Sequence, residues 1–125
     1  MESIPYIFVG GGLGSILRYG LGRLAWMASL EAFWGTLLAN VVGGLIMGLV
    51  MGWVSSKEAI SPPVQLGLTV GLLGGLTTFS TFSHDVVALM RNGDLGTALF
   101  YALGSVIVCV SLCFVGVRIS GAIFG

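Results

Sequence analysis

Helix-breaking residues and hydroxyls crowd together in GLLGGLTTFSTFSHD, residues 71–85. Gly74 and Gly75 weaken a helix, and the hydroxyls of Thr77, Thr78, Ser80 and Thr81 compete with it for backbone hydrogen bonds. The pattern predicts a break near 74–78. In an apolar surrounding, backbone released there must be buried in protein or line a polar cavity. Its carbonyls would suit a cation such as Na+. The alternative is a continuous helix whose hydroxyls bond back onto the preceding turn. Phe79 and Phe82 follow the break, three apart on one face. Such residues ordinarily pack or touch lipid. Set among hydroxyls they have another use, because ring edges carry partial positive charge. A row of edges would support a small anion yet release it, as conduction requires.

Asn40 shares a face with Thr36, Gly44, Gly48 and Gly52 at steps of four, so its amide points into packed helix and not into lipid. There it either makes an interhelical hydrogen bond or presents its N–H groups to an anion. Tyr101, Ser105 and Cys109 also fall in line at steps of four. The Tyr and Ser would extend a hydrogen-bonding track, or else anchor at the interface and pack. Arg18 lies with Gly11, Gly14, Ser15 and Gly22. Its charge would attract anions at a vestibule, or snorkel as an interfacial anchor. His84 and Asp85 read as a local hydrogen bond. Cys109 and Cys113 stand one turn apart without a His or acidic neighbour, so they read as small packing residues, neither disulfide nor metal ligands. The absence of a phosphate loop, metal cluster or nucleophile–base set argues against an enzyme.

The elements that position these residues follow from composition. Charged residues are 8% of the 125-residue chain, against roughly 25% in an average soluble domain. Hydrophobic residues are 56% and the mean hydropathy is +1.05. So few charges cannot cover a small soluble protein, which leaves the lipid bilayer as solvent. A net charge of zero gives no reason to expect nucleic acid. A spanning helix needs about 20 mostly apolar residues. Four stretches qualify, near 4–24, 34–54, 64–90 and 97–124. The expected fold is all-α, a single four-helix transmembrane domain over 1–125. The N-terminus lacks a basic region and cleavage site, and reads as the first span. Glycines at steps of four (Gly10 and Gly14; Gly44, Gly48 and Gly52; Gly67, Gly71 and Gly75) predict close helix packing. Lys57 and Arg118 lie at the termini's side, Arg23 and Arg91 at the other. This tie gives no orientation preference: either other factors fix one topology, or the chain inserts both ways and two copies pair as an antiparallel dimer.

Three segments, GGGLGSILRY (10–19), WGTLLANVVGG (34–44) and GLLGGLTTFSTFS (71–83), resemble the signature blocks of the Fluc family, also called CrcB-type fluoride channels. They occur in the family's order and spacing, and the four-span pattern covers essentially the whole chain. The resemblance implies an antiparallel dual-topology homodimer in the bacterial inner membrane, with two fluoride pores and a structural Na+ between the subunits. Gly74 and Thr77 would hold the Na+ by backbone carbonyls. Asn40, Phe79, Phe82, Ser80, Thr81, Tyr101 and Ser105 would line the pore, and Arg18 would match the first block's arginine. Cys109 departs from the pattern, with a thiol in place of a hydroxyl. The resemblance also implies passive export: HF enters, dissociates, and the anion leaves through the channel. Two alternatives stand beside it. A small proton-coupled multidrug exporter would need an embedded carboxylate, and only Asp85 approaches the membrane. An accessory membrane subunit would not need an embedded Asn40 or a hydroxyl-rich break.

Overall fold

The computed structural model describes residues 1–56 and 60–125, and among these it is helical with no strand. Lys57 and Glu58 lie outside the described residues. Helices α1 (Ser3–Met27) and α2 (Ala32–Val54) come first. The third span is composite. It opens with α3 (Pro62–Leu66), whose paired prolines occupy the first helical turn, where their missing N–H groups are not needed. It widens into a π-helical stretch (Gly67–Leu73), returns to α4 (Gly74–Leu76), breaks at Thr77 and Thr78, and resumes as α5 (Phe79–Arg91). After a turn with Gly93 at φ 81°, α6 (Leu95–Phe124) closes the chain.

Three segments are long and apolar enough to cross a membrane: Ala32–Val54, Pro62–Arg91 and Leu95–Phe124. Helix α1 has the length, with 25 residues. Its six glycines and two arginines dilute its apolarity, so it does not qualify by composition. The break falls where the glycine pair and hydroxyls predicted it. The π-helical stretch was not expected from the sequence.

Helix α2 lies along α6, α1 lies along the first half of the third span, and α5 packs on α6. The glycine stripes make these approaches. A Cβ on Gly48 would fall on the Cys113 carbonyl, and one on Gly14 would fall on the Leu72 carbonyl. On the third span, Gly71 and Gly75 face the backbone of α1 at Ile7 and Gly11. The buried core is small and divided. Ala39, Leu73 and Leu76 form one cluster; Phe33, Leu89, Ala98 and Tyr101 form another. Large apolar side chains such as Phe8, Ile16, Phe100 and Phe114 are exposed along the outside. So much exposed apolar surface calls for lipid or protein to cover it.

Candidate functional site

The break is a short extended segment held from two neighbouring helices. Thr77 (φ −86°, ψ 153°) and Thr78 (φ −153°, ψ 125°) leave the helical region together. Thr77 still donates twice to the Leu73 carbonyl, from its N–H at 2.9 Å and its hydroxyl at 2.8 Å. Thr78 has turned away. Its N–H donates to Asn40 Oδ1 at 2.8 Å, and its carbonyl accepts from Asn40 Nδ2 at 3.1 Å. An N–H needs an acceptor and a carbonyl a donor, so this pair of bonds also fixes which way the amide points. The Thr78 hydroxyl then caps α5 by accepting from the Thr81 N–H at 3.1 Å. It donates to Thr81 Oγ1 at 3.2 Å and lies 3.2 Å from Ser80 Oγ. Helix α1 supplies the second hold. Arg18 Nε donates to the Gly75 carbonyl at 3.1 Å, and its Nη1 donates to Thr81 Oγ1 at 3.4 Å.

These bonds leave two carbonyls without their helical donors. Gly74 would receive the Thr78 N–H, now spent on Asn40. Thr77 would receive the Thr81 N–H, now spent on the Thr78 cap. Unwound carbonyls of this kind are oxygen ligands available to a cation.

Beside the break lies a groove of about 370 Å³ between α2, α5 and α6. It brings together Asn40, Phe79, Phe82 and Ser105 of the expected site, with Thr77 and Thr78 at its wall. Ser105 Oγ is buried and has no partner among the described residues. An unpaired buried hydroxyl costs roughly 1–3 kcal/mol, so this one is poised for a ligand or water. Asn40 spends one amide N–H on Thr78 and keeps the other. Aromatic rings run on from the groove. Phe79 and Phe82 lie 5.5 Å apart at 38°, and Phe82 and Tyr101 lie 5.2 Å apart at 54°. Tilted rings present edges as well as faces. Phe79 is 77% exposed on the single chain.

The other expected site residues stand outside the groove. Ser80 and Thr81 serve the α5 cap. Arg18 is half-buried and committed to Gly75 and Thr81. Tyr101 is 2% exposed and donates its hydroxyl to Asp85 Oδ2 at 3.4 Å. Asp85 is itself buried, and His84 Nδ1 stands 3.6 Å from its other oxygen. That distance is too long for the local hydrogen bond expected of His84 and Asp85. The Tyr101–Asp85 pair was missed because its members come from different helices, and neither residue type announces the other. Cys109 and Cys113 are free, as expected, and pack on α2 through their backbone, but they are only half-buried and line the groove. The α2 glycines bring the two backbones together there, Gly44 against the Cys109 carbonyl and Gly48 against that of Cys113, with Met47 beside them at the groove.

Similarity to known proteins bears on the same geometry. The family described as CrcB-like protein, Camphor Resistance (CrcB), matches residues 5–117. A protein named fluoride-specific ion channel FluC, from one strain of Thermus thermophilus, is 43% identical over 126 residues, covering 100% of both chains. Its namesake from a second strain of that species is 45% identical over 128 residues, covering 100% of this chain and 98% of the relative. Another, from Novosphingobium aromaticivorans, is 42% identical over 122 residues, covering 95% of this chain and 96% of the relative.

Proposed function

We propose, on the premise that this chain belongs to the CrcB-like family, that it is a fluoride-specific channel whose ion path runs through the groove beside the broken span. The chain is a multi-pass helical protein of the bacterial inner membrane and conducts an ion; it is not an enzyme. Its whole length aligns with relatives that bear the name of fluoride channels. One observation carries the path: the Ser105 hydroxyl is buried without a partner in the groove that Asn40, Phe79 and Phe82 also line. Fluoride in water is held by hydrogen-bond donors. The hydroxyl, the spare amide N–H of Asn40 and the phenylalanine edges replace those donors without a full charge. A full positive charge would bind the ion too tightly to let it go. Export is passive: HF that enters dissociates inside, and the anion leaves down its gradient.

In this reading α1 is the fourth membrane span, and the working unit is an antiparallel homodimer of chains inserted in both directions. The balanced arginine and lysine count supports it, as do the small divided core and the exposed Phe79 ring. Na+ fits at the released carbonyls of Gly74 and Thr77, which lost their donors to Asn40 and to the Thr78 cap. Ser80 and Thr81 support the path by holding that cap, and Tyr101 by setting Phe82.

The test is fluoride efflux from liposomes that hold the purified protein, read with a fluoride electrode. Fast efflux is expected, with little chloride movement under the same gradient. Phe79→Ile and Asn40→Asp are each expected to abolish it. Equal movement of both halides would overturn the selectivity. Efflux that survives both substitutions would remove the groove from the ion path.

A further inference from the structure

Three sulfur-bearing residues line the same groove, and Met47 also packs against the Ala39, Leu73 and Leu76 cluster. Cys109 and Cys113 stand one turn apart on α6, and Met47 stands on α2 between Gly44 and Gly48. The glycines draw the two backbones together there, Gly44 against the Cys109 carbonyl and Gly48 against that of Cys113. All three sulfur residues are half-buried, and both cysteines are free. Residues four apart on a helix hold their Cβ atoms about 5–6 Å apart, close enough for both sulfurs to reach one metal ion. Met47 has an unbranched, freely rotating side chain that can bring its thioether to the same point.

We propose that Met47, Cys109 and Cys113 form a binding site for a soft monovalent cation of the Cu+ and Ag+ class, and that its occupation plugs the groove. Thiolate and thioether donors select soft cations over Na+, Mg2+ or Ca2+. Among the described residues no three His, Cys, Asp or Glu side chains gather, so no harder donor set competes. The binding step balances without any electron transfer. One cysteine S–H bond breaks, its proton passes to water, and a sulfur–metal bond forms. The second thiol and the thioether coordinate as neutral donors. One thiolate and one monovalent cation cancel, so the occupied site carries no net charge. A divalent ion would need both cysteines deprotonated to reach the same neutrality, so the preference rests on the softness of the thiolate and thioether donors.

The plug rests on the conduction path proposed above; the binding does not. Ag+ is the probe, because it needs no reductant. The full-length protein in detergent and nitrate buffer is expected to bind one Ag+ per chain and release one proton with it. The Cys109→Ser/Cys113→Ser double variant is expected to lose both signals. Met47→Leu is expected to keep the proton release and bind about tenfold more weakly, the scale on which a metal's supporting contacts act. No binding, no proton release, or equal binding by the double variant would overturn the site. In fluoride-loaded liposomes each protein is compared with itself, with and without Ag+. Wild-type efflux is expected to fall to background and return on adding dithiothreitol, and the double variant is expected to be insensitive. Efflux that continues with Ag+ bound would overturn the plug. If no protein conducts fluoride at all, the channel reading fails, and the binding measurements still decide the metal site.

Discussion

Asn40 answers both backbone groups of Thr78, so replacing it is expected to act on the fold and on the proposed ion path together. Asn40→Ala leaves a half-buried N–H and carbonyl of Thr78 unpaired, each costing at most roughly 1–3 kcal/mol. A clear drop in Tm in detergent is expected, with loss of efflux. Arg18 separates two roles by its conservative variant. If its charge alone mattered, Arg18→Lys would behave as wild type. Its guanidinium instead ties Gly75 to Thr81, a geometry one ammonium does not reproduce. Arg18→Lys is therefore expected to lose Tm and efflux nearly as far as Arg18→Met, and a lysine variant with full efflux would make the tie unimportant. At this scale the sequence was legible where the signal is local. Phe79 and Phe82 follow the break directly, and Asn40 continues a glycine stripe. The Asp85–Tyr101 pair was not legible, because its contact spans two helices. Nor was the place of the cysteines on the groove, which depends on how α2 and α5 sit against α6.

The glycine stripes of the helices make opposite predictions for one substitution at two places. Gly48→Ala would put a Cβ onto the backbone carbonyl of Cys113, which cannot move without parting α2 from α6. Overpacking of this kind typically costs about 1–3 kcal/mol. Gly104→Ala meets nothing within 4 Å, so it is expected to gain about 0.8–1 kcal/mol in helix propensity. Thermal unfolding in detergent distinguishes the two. Asp94 governs the start of α6. The hydroxyl and backbone N–H of Thr97 hold its carboxyl below the usual carboxylate range. A depressed value in the fold means that the cap stabilises above the unfolded pKa, about 3.9, and fades as pH falls through the lower folded value. Asp94→Asn caps without charge and is expected to flatten that acid dependence of Tm. Three of the four expected spans were legible because hydropathy marks them; the glycines and arginines of α1 blur the first. The break was legible too, because a glycine pair meets four hydroxyls there. The widened stretch Gly67–Leu73 carries no comparable mark. Its glycines face α1, and a regular helix would show the same residues.

For the whole molecule the unusual quantity is the even split, two and two, of the basic residues other than Arg18, which is held on Gly75 and Thr81. Arg23→Ala with Arg91→Ala leaves the basic residues on the termini's side alone, and Lys57→Ala with Arg118→Ala does the reverse. Each pair is expected to force a single orientation, because basic loops stay inside. Each alone is expected to lose efflux, and co-expression of the two is expected to restore it. Labelling a C-terminal tag from outside intact cells checks the orientations directly. Efflux from one fixed orientation by itself would end the antiparallel arrangement.

The two holds on the kink come from α1 and α2, both of which precede residue 78 in the chain. The N-terminal half is therefore a mould, and the third span is cast against it. A ribosome adding residues in chain order makes Arg18 and Asn40 before the backbone they grip. A permuted gene that began at residue 60 would ask the same helix to bend with nothing yet to bend it.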